Sequence, residues 1–274
     1  MADSHSKIEF LAQFETYVRS LISPPHASFY TVIARELNRV HRLFDSGSYS
    51  DFTVVAGGAR FNVHRIILGL RTPFFENATK EENGVLESKD KVVTIGDHSA
   101  HAVWRFLKYC YTGDYSDASN EVALGEGLDP TIVVRARRVS ADGVTTEDDP
   151  SMLKHPRVYA LADMLDSPSL KGLAAKKFKA TLESEWVATD FAGVVAEVYA
   201  TSNARDNDVR KALISSAKSH LGELLSLEAF KDVLSANGEF SGGLLVVIWR
   251  AFSNRTCVSC GCVNQFCDNC GENL

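Results

Sequence analysis

Between Tyr49 and Tyr115 the hydrophobic pattern changes period several times over short lengths. DFTVVAGG and ARFNVHR alternate or run apolar over a few residues each, and Gly57-Gly58 joins them, which predicts a β-hairpin. HRIILGLRT follows directly as a short helix. Thr72-Pro73 then places a capping hydroxyl before a proline at the first helical position, so PFFENATK predicts a second short helix. KVVTI supplies another strand. The strongest helix signal comes next: Val103, Phe106, Leu107, Cys110 and Tyr111 sit at helical spacing in a single apolar stripe, and Thr112-Gly113-Asp114 ends the run. Strand and helix signals therefore both occur in this segment.

The flanks are simpler. Ile8, Leu11, Phe14 and Val18 predict a helix that Pro24-Pro25 breaks, and Ile33, Leu37, Val40 and Phe44 predict a second before the turn DSGSYSD. Residues 116–155 lose the rhythm: VVRARRV could form a strand, and SADGVTTEDDPS reads as loop. Helical order resumes with Val158, Leu161, Ala162 and Leu165, and Ser167-Pro168 opens a further helix through Leu170, Leu173 and Phe178. Amphipathic helices continue to about residue 252. The apolar run Leu244–Trp249 is far too short to span a bilayer and is expected to be buried.

The net charge is −6, so no concentrated basic surface suggests a nucleic-acid backbone as ligand, and short basic runs such as Arg135, Arg137, Arg138 read as solvated faces. MADSHSKIEF lacks the pattern of a secretory signal, and five of the six cysteines cluster between 257 and 270. Together these place the chain, as an expectation, in the cytoplasm or nucleus, with metal rather than disulfides at the cysteines.

The ordered set SDFTVV, FNVHR, LRTPFF, VVTI and YCYTGDY resembles the BTB/POZ domain over positions 48–117, and KHPRVYALADMLDSPSLKGLAAKKF is similar to the continuation in fungal members. The resemblance implies an α+β fold, a small sheet flanked by helical hairpins, and a function in protein–protein interaction. It implies a structural role for Asp51 and His64, holding the first strand and helix together. In many members of the family a hydrophobic residue, any residue and a glutamate before the third strand meet a cullin-type ubiquitin ligase scaffold, and Val85-Leu86-Glu87 stands at that place. Dimerisation through an N-terminal element is the family's other habit. The implied organisation is an N-terminal helical segment at 1–47, the BTB/POZ core at 48–117, an insertion loop at 118–155, a helical extension at 156–252 and a cysteine-rich tail at 253–274.

In that tail, Cys257 and Cys260 form one C-x-x-C pair and Cys267 and Cys270 another, each followed by glycine. Two residues between thiolates let a turn aim both sulfurs at one ion, and four thiolates close a tetrahedral shell. One structural zinc per chain is the preferred reading. A redox dithiol would need a βαβ setting that is missing, and an iron–sulfur cluster stays open. Cys262 is either a spare thiol or a rival ligand. The segment Trp249–Leu274 holds Arg250, Arg255, Asp268 and Glu272, so four thiolates and one zinc leave it near −2, contrary to a backbone-binding finger.

No G-x-S-x-G, P-loop or H-E-x-x-H pattern occurs. GEG at 125–127 lacks a third glycine, and SSAK at 215–218 stands alone. His98 and His101 lie three apart at a helix start, where a surface position is expected. The expected function is a non-enzymatic BTB adaptor or scaffold, in its sharper form a substrate adaptor for a cullin-type ubiquitin ligase. The alternative is a transcriptional regulator that contacts nucleic acid through the zinc site.

Overall fold

A computed structural model describes residues 42–57, 59–80, 89–116, 138–140, 143–145, 148–203 and 208–253. Apart from Arg42, these belong to one compact unit, Leu43–Leu274. The expected helices of segment 1–41, the tail cysteines Cys257, Cys260, Cys262, Cys267 and Cys270, and Val85-Leu86-Glu87 all lie outside the described residues.

Strand β1 (Phe52–Ala56) is the middle of a mixed three-stranded sheet. It pairs antiparallel with β2 (Ala59–Val63), Phe52 opposite Val63 and Ala56 opposite Ala59, and parallel with β3 (Val92–Ile95), Val54 opposite Val93. Alternate residues of β1 and β2 are buried, so Phe52, Val54, Phe61 and Val63 share one covered face. Gly57 leaves β1 at φ +53°, and a Cβ there would stand 3.1 Å from the Ala100 nitrogen, so both backbone sign and space require glycine.

Helices α1 (Arg65–Arg71) and α2 (Pro73–Thr79) form the hairpin between β2 and β3. Thr72 accepts the Phe75 N–H through its hydroxyl and Pro73 follows at the first helical position, as the Thr72-Pro73 signal predicts. Helix α3 (Ala100–Thr112) is buried along almost its whole length; Ser99 caps its start and Gly113, at φ +78°, ends it. Phe75 and Phe106 stack at 5.7 Å in the core between the α-hairpin and α3.

The segment expected to be an insertion loop carries regular structure in two places. Strands β4 (Arg138–Ser140) and β5 (Gly143–Thr145) pair antiparallel, Ser140 opposite Gly143. Strand β4 overlaps the end of the run VVRARRV that the sequence offers as a strand. Helix α4 (Ser151–Met164) begins ahead of the expected position and carries Pro156 inside it. The proline forfeits one backbone bond. Packing offsets this: Met152 and His155 are buried, α4 lies along α3, and the His155 Nδ1 meets the Tyr115 hydroxyl at 2.9 Å.

The extension continues through α5 (Pro168–Ser184), α6 (Ala188–Thr201), α7 (Asp208–Ser219), the short α8 (Leu221–Leu224), α9 (Glu228–Ala236) and α10 (Gly238–Ser253). Phe191, Phe230 and Phe240 form its aromatic core. Arg210 lies over the Tyr199 ring and donates to Glu239 and to Ser202. The run Leu244–Trp249 is helical but not buried as a whole: Leu244 is covered, while Leu245 and Trp249 are 67% and 60% exposed. Helix α7 covers one stripe of α10, so closely that a Cβ on Gly243 would meet Ile214 at 2.6 Å.

Candidate functional site

Asp51 and His64 sit at the junction of β1, β2 and α1. They share no hydrogen bond. The Asp51 carboxylate accepts the Arg65 backbone N–H and the Arg65 Nε–H, both at 2.9 Å. It thereby supplies the acceptor that the N-cap residue of α1, His64, does not offer with its side chain. His64 turns instead to Tyr111: its backbone N–H donates to the Tyr111 hydroxyl at 2.9 Å, and that hydroxyl donates to Nδ1 at 2.7 Å. Nε2 lies 2.8 Å from the Ser48 carbonyl oxygen, which accepts only, so Nε2 carries the proton. Burial holds the Tyr111 phenol well above its usual range, so it stays a neutral donor. Both imidazole nitrogens are engaged, and nothing in this geometry offers a base to a substrate. Cys110, on the same helix as Tyr111, is buried and its thiol is pushed up by that burial, which makes it an inert core group.

The hairpin α1–α2 turns Leu68 and Phe75 into the core and Ile66, Leu70 and Phe74 outward. Ile66 and Leu70, one helical turn apart, are 72% and 62% exposed, which makes an apolar stripe on the outer face of the domain. Sequence reading places a helix here without saying which residues of the run HRIILGLR face out.

A buried charge network joins the domain to its extension. Arg105, 0% exposed in the middle of α3, places its guanidinium 2.6–2.7 Å from both Asp148 carboxylate oxygens and 3.3 Å from Asp149. Asp149 also accepts from the Ser99 hydroxyl at 2.9 Å and from Arg157 at 2.5 Å, and Arg157 is bidentate to Glu197 on α6. Burial pushes the Asp148 carboxyl up, but Arg105 and Lys154 outweigh it and hold the group below its ordinary value. Sequence reading leaves Asp148 and Asp149 in a loop and passes over Arg105. The available signal is an arginine set among Val103, Phe106 and Leu107 on an apolar helix.

Beside this network a cleft of about 690 Å³ opens between the 96–101 segment, the 148–150 segment, α4 and α6. His98 and His101 line it, and the expected surface position is overturned for His101, which is 8% exposed. It stands in the first turn of α3, a helix buried along almost its whole length, within reach of the charges of Asp148 and Asp149. Burial lowers the pKa of both imidazoles below the ordinary 6.5, and Asp97, for His98, and Asp148 and Asp149, for His101, counter only part of that. Among the described residues no set of His, Cys, Asp or Glu has the arrangement of a metal site.

Residues 40–124 match the family model described as the BTB/POZ domain. A curated relative, the BTB/POZ domain and ankyrin repeat-containing protein NPR1 of Malus hupehensis, is 35% identical over 89 residues, spanning 30% of this chain and 15% of that protein. Among solved structures, the BTB domain of zebrafish PATZ1 is similar at 15% identity and a TM-score of 0.35, over 57% of this chain and 98% of that one. The small mixed sheet, its helical hairpin and the match at 40–124 make this chain a BTB/POZ domain-containing protein, with a helical extension behind the domain.

Proposed function

We propose that the chain is a protein-interaction module whose BTB domain docks a protein partner, a second copy or an outside protein, through the outer face of α1 and α2. The observation that supports this is the exposed stripe of Ile66 and Leu70, continued by Phe74 at the start of α2. Large apolar side chains left together at the surface lower the free energy of a contact that covers them. A BTB domain implies protein–protein interaction and is typically non-catalytic. Among the described residues no helix is long and apolar enough to cross a membrane.

In its finer form the module is an adaptor, with Val85-Leu86-Glu87 as a contact to a cullin-type scaffold and the domain as a homodimer. Cys257, Cys260, Cys267 and Cys270 hold one structural zinc that orders the tail. Light scattering on the purified chain, wild type and Ile66→Asp/Leu70→Asp, tests the docking face. A mass that falls from dimer to monomer in the variant, with an unchanged melting temperature, supports it. A wild-type monomer whose cullin pull-down is also unaffected by the double substitution sinks it. Glu87→Arg in the same pull-down tests the cullin contact, and elemental analysis tests the zinc.

A further inference from the structure

We infer that the outer face of α10 is a self-association surface, on which a second copy of this chain packs its own α10 antiparallel across a two-fold axis. The face shares no residue with the Ile66–Leu70 stripe, so either contact can fail without the other.

Helical spacing sets the face. Helix α10 packs on α7 and α9 and buries Phe240 and Leu244. Gly238, Gly242, Leu245 and Trp249 follow at steps of four, three and four residues, a single stripe on the other side, and Val246 lies beside it. All five are exposed and none carries a charge. A lone exposed leucine needs no explanation, but a contiguous apolar stripe that ends on a tryptophan marks an interaction surface.

Shape makes a second copy the occupant. One end of the stripe is bare: a Cβ added to Gly238 or Gly242 would meet no heavy atom within 4 Å. The other end carries the Trp249 ring. Antiparallel pairing about a point between Leu245 and Val246 sets Trp249 of one copy over Gly242 of the other, twice, and Leu245 against Val246. Each large side chain then meets a backbone that no Cβ holds away.

Charge favours the same register. Glu239 and Arg250 stand eleven residues apart at opposite ends of α10, which is three helical turns and places both on one edge of the stripe. The two-fold keeps that edge, so Glu239 of one copy lies within two residues of register, about 3 Å along the axis, of Arg250 of the other. The Glu239 side chain is 57% exposed while it holds Arg210, which leaves room for a second cation. Leu245, Val246 and Trp249 present on the order of 350 Å² of apolar surface per copy, so a pair covers about 700 Å², against the roughly 1,200 Å² at which stable interfaces begin. Glycine backbone and the stems of Glu239 and Arg250 supply the remainder, which makes the dimer a reversible one.

The test is analytical ultracentrifugation of the full chain carrying Ile66→Asp/Leu70→Asp, which removes association through α1 and α2. A reversible monomer–dimer equilibrium over the micromolar range is expected. Trp249→Ala and Gly242→Trp, both at exposed positions, should each weaken it at least about tenfold, the scale of an aromatic hot spot. Mixed in equal amounts, the two variants should dimerise again, because each contact then pairs one tryptophan with one small residue. A parent chain that stays monomeric overturns the inference, and so does a mixture no tighter than its components. In a monomeric parent, acrylamide quenching of Trp249, read against Trp249→Phe, tells whether the face is open to an outside partner or covered by residues 254–274. If Ile66→Asp/Leu70→Asp does not fold, both substitutions and their mixture are read in the otherwise natural chain, where an unchanged mass for both overturns it.

Discussion

Replacing Arg105 by methionine should loosen the joint between the BTB domain and its extension. Methionine keeps most of the aliphatic stem that packs inside α3 but removes the guanidinium. Asp148 and Asp149 then lose a partner at 2.6 Å and one at 3.3 Å while their side chains remain 13% and 3% exposed. Breaking a buried ion pair by deleting one member costs about 3–5 kcal/mol, because a desolvated charge is left behind. Here Lys154 still reaches Asp148 at 3.2 Å and Arg157 still reaches Asp149 at 2.5 Å. The loss should therefore lie at the low end, about 3 kcal/mol. In a chain of this size that is a fall of roughly 6–12 °C in melting temperature. Urea unfolding measures the cost, and hydrogen exchange locates it: amides at the start of α4 should lose protection before those of the sheet. Adding Asp148→Asn and Asp149→Asn to Arg105→Met should restore part of the loss, since the stranded charges go with their partner. The reasoning is refuted if Arg105→Met costs less than about 1 kcal/mol, or if the carboxamide substitutions add to it independently instead of relieving it.

Three further outcomes follow from single contacts. Tyr111→Phe removes the hydroxyl that serves both the His64 N–H and its Nδ1, and should cost about 1–3 kcal/mol in urea unfolding; a cost near zero would mean that water fills the place. Gly57→Ala combines φ +53° with a Cβ 3.1 Å from the Ala100 nitrogen and should cost about 1–3 kcal/mol, whereas an unchanged melting temperature would show that the turn relaxes freely. Acid should destabilise the fold in two stages. His98 and His101 have folded pKa values below 6.5, so the unfolded chain takes up their protons first and stability falls as pH drops from about 6.5, with Asp148 adding a second loss below its ordinary 3.8. Melting temperatures from pH 8 to pH 3 check this, and His101→Gln should flatten the upper stage; a flat profile through pH 6 in the wild type would contradict it.

The β1–β2 hairpin, the Thr72-Pro73 start of α2 and the Gly113 end of α3 were legible in the amino-acid sequence because their causes are local. A turn glycine, a capping hydroxyl and a stripe at helical spacing act within a few residues. The charge network left no such trace: Arg105 meets Asp148 across 43 positions and Ser99 meets Asp149 across 50. A carboxylate pair in a polar stretch looks solvated until another element covers it, which is also why His101 is expected at the surface and found buried. The continuous apolar runs are the converse case. HRIILGLR and LLVVIW carry no face of their own, so only packing decides that Leu68 and Leu244 point inward while Ile66, Leu70, Leu245 and Trp249 point out. Secondary structure in this protein follows from neighbours along the chain. Its candidate sites follow from which side of each element the tertiary fold leaves uncovered, because burial is a property of the packed whole and not of any one segment.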